Sequence, residues 1–252
     1  MCLIFLAWHV HPDYPLVVAA NRDEFFARPT AAAGFWPDAP QVLAGRDLEA
    51  GGTWMGITRS GRFAALTNFR DPAQVRAGVP SRGALVADYL LGTASPGGYL
   101  QQTTAIGSKC YGYNLLLGDG RGLYYYSNRE GEIRPLQPGL YGLANHLLDT
   151  PWEKVELGKA ALAGRIAAGS RPGDLLEMLQ QRPSLPVTAP PLTPEQLNAH
   201  RLIVSDSYGT CSSTVLTCSE AGQIRWLEQR FKAGGIPDER HLYQFRLRRP
   251  GR

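Results

Sequence analysis

Cysteine is scarce in this chain: four in 252 residues, at 2, 110, 211 and 218, with no CxxC pair. So few thiols in so long a chain build neither a disulfide framework nor a zinc-ribbon spacing, and no metal site is expected from them. His9 and His11 share a strand face, yet two histidines without a carboxylate or a third histidine at fixed spacing read as a rim or turn. Long apolar runs are missing as well. Nothing approaches the roughly 20 apolar residues that span a bilayer, and the opening Leu3-Ile4-Phe5-Leu6-Ala7-Trp8 is broken by His9, His11, Pro12 and Asp13. That segment has no basic region before it and no small-residue cleavage site after it, so the expectation is no transmembrane segment, no secretory signal and a cytoplasmic location. There is no Walker A loop, no GxGxxG after a strand and no CxxCH, which argues against nucleotide chemistry and covalent haem.

Charge of either sign is sparse, with a formal net charge of +4. The excess is local: over 225–252 eight Lys/Arg stand against three Asp/Glu, a basic tail from about residue 240. No basic and aromatic nucleic-acid motif accompanies it, so it reads as solvated surface with no nucleic-acid partner.

What is present is a 44% hydrophobic chain, ample for a buried core. Two β-rich runs, 2–10 and 16–20, flank a proline-bearing turn. A second hairpin joins 52–58 to 62–68 through Arg59-Ser60-Gly61. Further strands are expected at 112–118, 123–127, 133–136, 140–144, 213–218 and 223–231, with an edge strand at 243–247. Helical spacing predicts helices over 81–91, 151–169, 173–181 and 193–198, and the four prolines within 182–192 predict a loop. Neither a repeat nor a linker cut appears, so the expectation is one α+β domain over 1–252, mixed sheets covered by helices.

Cys2 is the residue with chemistry to offer. Removal of Met1 would give it a thiol nucleophile and a free α-amine to take the thiol proton, both on one residue. Burial as a small apolar residue at a strand start is the competing account. The second run ends in Asn21-Arg22-Asp23-Glu24, and a strand neighbouring Cys2 would bring that tetrad beside it. A guanidinium there favours the thiolate, and a carboxylate orients both the guanidinium and a protonated amine. Turn chemistry explains Asn and Asp there equally well. Asn68 and Asn145 each close a β-like run, where a rigidly held neutral amide suits an oxyanion hole. His146 adjoins Asn145 as a substrate contact. Most of the tryptophans and the Tyr124-Tyr125-Tyr126 run read as packing, since a strand divides its side chains between two faces.

Met1-Cys2, Ala19-Ala20-Asn21-Arg22-Asp23-Glu24-Phe25, Gly51-Gly52-Thr53-Trp54-Met55-Gly56, Ala65-Leu66-Thr67-Asn68 and Tyr141-Gly142-Leu143 through Thr150-Pro151-Trp152 together resemble the NRDE family, the transport and Golgi organisation protein 2-like proteins. The likeness runs in order from Cys2 to about Leu247. It implies the N-terminal nucleophile (Ntn) hydrolase fold of choloylglycine hydrolases and penicillin V acylases, a four-layer αββα sandwich of mainly antiparallel sheets. It implies Cys2, Arg22, Asp23, Asn68 and Asn145 as the catalytic set, with Glu24 the alternative to Asp23 as the carboxylate, and Asn21, Glu24, Trp54 and His146 as substrate contacts. The implied activity is hydrolysis or acyl transfer on a linear amide or acyl substrate with no required cofactor. The alternative is a carrier of haem or acyl-CoA in the same cleft. One position departs from the family pattern: relatives carry Arg after Tyr-Gly-Thr, where Tyr208-Gly209-Thr210 is followed here by Cys211, and a thiol does not replace a bidentate cation.

Overall fold

The computed structural model describes residues 2–70, 81–107, 110–181 and 200–248. In chain order its elements are β1 (Cys2–Trp8), β2 (Leu16–Phe25), β3 (Thr30–Trp36), β4 (Ala39–Asp47), β5 (Met55–Thr58), β6 (Phe63–Asn68), α1 (Gly83–Leu91), α2 (Pro96–Gly107), β7 (Tyr113–Gly118), β8 (Leu123–Ser127), β9 (Ile133–Pro135), β10 (Gly139–Leu143), α3 (Glu153–Ala167), α4 (Pro172–Gln180), β11 (Tyr208–Cys218), β12 (Gln223–Lys232) and β13 (Ile236–Arg246). The helix expected over 193–198 and the loop over 182–192 lie outside the described residues. Among the described residues, two sheets and four α-helices give the α+β class read from the sequence. Among the described residues no helix is long and apolar enough to cross a membrane.

The chain divides into two compact units that interleave along the sequence, residues 1–28, 138–144 and 148–245 in one, 29–137, 145–147 and 246–252 in the other. The first holds the six-stranded sheet β10-β1-β2-β11-β12-β13. β1 is apolar at every position and buried on both faces, the pattern of a strand inside a sheet. One face packs Leu3, Phe5, Ala7, Val17, Ala19 and Val215 against Val155 and Leu162 of α3 and Leu175, Leu176 and Leu179 of α4. Contact there is close: a Cβ on Gly158 of α3 would fall 1.9 Å from Cζ of Phe5, so only glycine lets the helix approach the strand. Helix α3 has Glu153 and Glu156 in its first turn and Arg165 in its last, complementing its dipole.

The expectation that the second strand ends at Ala20 falls short. β2 continues to Phe25 because β11 pairs with it as far as Tyr208 opposite Phe25. The terminal strand likewise begins at Ile236, well before the expected residue 243.

In the second unit the sheet order follows the sequence, β3 through β9, each neighbour antiparallel. Its core joins Trp36, Val42, Leu66, Tyr113, Leu115 and Leu117 to Leu85, Tyr89 and Leu90 of α1 and Leu100 of α2. Three elements here, β3, β4 and α2, were not expected. The α2 sequence PGGYLQQTTAIG is poor in helix formers. Burial of Leu100 and a 2.8 Å bond from the Tyr99 hydroxyl to the Leu85 carbonyl hold it from outside.

Candidate active site

Strand register assembles the first unit's site. Cys2, the first residue of β1, is paired across the sheet with Arg22 of β2, and Arg22 with Ser212 of β11. Directly opposed residues on antiparallel strands project to the same face, so thiol and guanidinium share one side. The polar tetrad is thus strand, not turn. Along β11 the register slips between Thr210, opposite Asp23, and Ser212, opposite Arg22, which leaves Cys211 as the extra residue of a bulge. The Cys211 sulfur lies 3.5 Å from the Glu24 carbonyl oxygen.

Asp23 is turned to the opposite face from Arg22 and is buried. Its Oδ1 accepts a 2.7 Å bond from the Thr210 hydroxyl, whose oxygen accepts in turn from the Ile203 N–H at 2.9 Å. The Tyr208 hydroxyl donates to the Asp23 carbonyl at 3.3 Å. Glu24 faces the Arg22 side, where its Oε2 stands 4.0 Å from Nη2 of Arg22. Asn21 serves the fold: fully buried, it donates to the carbonyls of Leu179 and Arg201 at 3.2 and 2.7 Å and accepts from the Ser213 hydroxyl at 2.6 Å. Its amide nitrogen is thus tied to the end of α4 and to the segment at 201.

Electrostatics here are governed by burial. The Cys2 residue is 8% exposed, and loss of solvent pushes its thiol up from 9.0 to about 11 despite the lowering influence of the amino-terminal charge, Arg22 and the Asp23 backbone N–H. Desolvation also raises the Asp23 carboxyl, against the amino-terminal charge, the Thr210 bond, Lys154 and Arg22, which all favour the carboxylate. The Cys211 thiol is raised by burial and lowered by Arg22. A buried cation, Lys154 at the start of α3, and a buried imidazole, His200, complete the set. Burial first, then Lys154, lowers His200.

Sequence reasoning missed Lys154, His200 and the tie from Thr210 to Asp23. A lysine in the first turn of a helix reads as a solvated residue and opposes the helix dipole, so nothing local flags it. The signal for Thr210 was present in Tyr208-Gly209-Thr210, without a partner attached to it.

In the second unit Asn145 is buried and its Nδ2 donates to the main-chain carbonyl of Asn68 at 2.9 Å, so these two expected residues are neighbours. The Oδ1 of Asn145 is buried and has no hydrogen-bond partner among the described residues. The His146 ring lies 4.9 Å from that of Phe69. Trp54 is half-buried just before β5, its carbonyl accepting from the Leu66 N–H at 2.7 Å.

A sheet whose first strand starts at a cysteine and ends its hairpin at an arginine, in an α+β chain of two antiparallel sheets, belongs to the class of the Ntn-hydrolase fold. The solved structure of a Caenorhabditis elegans N-acylethanolamine-hydrolyzing acid amidase ortholog shares this fold with a TM-score of 0.51 and 10% identity, over 85% of this chain and 92% of that one. The chain belongs to the Transport and Golgi organisation 2 family, whose sequence profile matches residues 1–233. The Bos taurus Transport and Golgi organization protein 2 homolog is 37% identical over 279 residues, spanning 98% of this chain and 99% of the relative. The Homo sapiens homolog is 42% identical over 173 residues, 63% of this chain and 62% of that protein.

Proposed function

We propose that this protein is a cysteine Ntn-type hydrolase or acyltransferase acting on a linear amide or acyl small molecule. The observation that carries the reading is the register pairing of Cys2 with Arg22, with Asp23 next along the strand. Removal of Met1 supplies the missing base. The liberated α-amine takes the thiol proton, and the sulfur attacks the acyl carbon as the carbonyl π electrons move to oxygen. Collapse breaks the carbon–nitrogen bond, and the leaving amine departs with the proton. Water, deprotonated by the same α-amine, then cleaves the thioester and returns the thiol. Arg22 favours the thiolate against the desolvation that opposes it. Glu24, on the Arg22 side of the strand, is proposed as a substrate contact. The persistence of four unpaired thiols accords with a cytoplasmic location.

Two measurements test this. Intact mass of active protein is expected to start at Cys2; active material that fully retains Met1 refutes the mechanism. Cys2→Ala is expected to lower turnover of an N-acyl amide panel by at least about a thousandfold while leaving the fold intact.

One observation favours a second reading, a carrier for an acyl or haem ligand without turnover: a thiol raised to about 11 is a poor nucleophile at neutral pH. Under that reading Cys2→Ala binds haem or acyl-CoA as tightly as wild type and neither protein turns over an amide.

A further inference from the structure

One hydroxyl ties the carboxylate nearest the amino terminus to a segment outside the strands and helices. Thr210 is clamped on Ile203 twice: its main-chain N–H donates to the Ile203 carbonyl at 2.9 Å, and its hydroxyl oxygen accepts the Ile203 N–H at 2.9 Å. With that oxygen occupied, the single hydroxyl proton is aimed at Oδ1 of Asp23 at 2.7 Å, which calls for an acceptor there and so favours the carboxylate. Thr210 and Asp23 are opposed across β11 and β2 and are 1% and 4% exposed, so solvent competes little for either.

The two reactive groups of Cys2 are reached from different sides. Its thiol shares the Arg22 face, whereas the α-amine is backbone at the strand end, between the two faces of the sheet. Asp23 approaches from the face opposite Arg22, and the amino-terminal charge acts on both the Cys2 thiol and the Asp23 carboxyl. We propose that Thr210 is a positioning residue for the nucleophile, holding Asp23 as an oriented carboxylate that stabilises the α-ammonium formed when the amine takes the Cys2 proton. The thiol proton moves to the amine, leaving a thiolate beside Arg22 and an ammonium beside Asp23. This role rests on the reading of Cys2 as an amino-terminal nucleophile. The other groups acting on Cys2 and Asp23 are Arg22, Lys154, Tyr208 and Cys211, which the variants leave in place.

Alkylation by iodoacetamide tests it without a substrate, on the full chain with Met1 removed, followed by peptide mass as a function of pH. Cys218, a thiol pushed by burial up to about 11, is the internal reference. Wild-type Cys2 is expected to react faster than Cys218 at neutral pH. Thr210→Val is expected to slow Cys2 at least about fivefold at neutral pH and to move its profile to higher pH, because a hydrogen bond to a charged group is lost. Thr210→Ser, which keeps the hydroxyl, is expected to stay within about twofold of wild type. A merely structural role has the opposite sign, since loosened strands expose the buried sulfur and speed its alkylation. Asp23→Asn is expected to slow Cys2 as Thr210→Val does, and adding Thr210→Val to it is expected to cost nothing more. A reactive wild-type Cys2 with Thr210→Val at the wild-type rate or faster overturns the positioning role alone. Wild-type Cys2 no faster than Cys218 refutes the nucleophile reading and this role with it. Should Thr210→Val fail to fold, Asp23→Asn carries the test, and alkylation at the wild-type rate in that variant overturns the proposal.

Discussion

At Thr210 one hydroxyl does two jobs, donating to Asp23 and accepting from the Ile203 N–H. Thr210→Val keeps the shape and removes both bonds, leaving a buried carboxylate oxygen and a buried backbone donor without these partners. The expected cost is about 2–4 kcal/mol in urea unfolding. Asp23→Asn at the same site replaces a desolvated charge by an amide that still accepts from Thr210. It is expected to change stability by less than about 1 kcal/mol; a loss as large as that of Thr210→Val would show that the carboxylate charge itself holds the strand pair. These residues also mark how far the site was legible. Cys2 and Arg22 could be paired from sequence because they belong to one hairpin, where turn position sets the register. Thr210 arrives from β11, Lys154 from α3 and His200 from outside the strands and helices, each more than a hundred residues on, and no periodicity encodes such distant neighbours. Cys211 stood out as an unexpected residue, but its place in a bulge depends on how β11 pairs with β2.

Gly158 shows the same limit for an element. Helix α3 was readable from its spacing and its charged ends, whereas its approach to Phe5 was not, since glycine inside a helix looks only like a weak helix former. Gly158→Ala ought to gain about 1 kcal/mol from helix propensity. Instead it sets a Cβ 1.9 Å from Phe5, and overpacking of this kind costs roughly 1–3 kcal/mol or more. Net destabilisation is expected, and Phe5→Leu in the same protein is expected to recover part of it. A double-mutant cycle by thermal or urea unfolding reads the coupling directly. Stabilisation by Gly158→Ala would refute the close approach of α3 to Phe5. The elements missed from sequence, β3, β4 and α2, fail for a related reason. Thr30-Ala31-Ala32-Ala33-Gly34 carries little β-propensity and α2 little helix propensity. Their structure is imposed by partners, by β4 along β3 and by Leu85 above Tyr99.

Across the whole molecule, buried titratable groups give stability a defined pH dependence at both ends. The Cys2 and Cys218 thiols are each pushed from 9.0 up to about 11 by burial. Between those values the unfolded chain has released both protons while the native chain keeps them. The native state then binds more protons, so stability falls as pH rises. Between pH 9 and 10 the loss from Cys2 is about 1 kcal/mol. The tyrosines Tyr89, Tyr99, Tyr113, Tyr126 and Tyr208, also raised by burial, act in the same direction and already contribute in this window, so the thiol share is the difference between wild type and a cysteine variant. On the acid side His200 is held neutral, lowered from 6.5 by burial and by Lys154. As pH drops through 6.5 the unfolded imidazole gains a proton that the native one refuses, so stability is lost on acidification. Asp23, raised from 3.8 by burial, works against that loss, because its native form takes up a proton before the unfolded one does. Urea midpoints across pH 5 to 10 are therefore expected to peak near neutrality. Cys2→Ala/Cys218→Ala is expected to flatten the slope between pH 9 and 10, and His200→Asn to flatten the decline below 6.5. A double cysteine variant that declines as steeply as wild type between pH 9 and 10 would mean that both sulfurs already meet solvent in the folded chain.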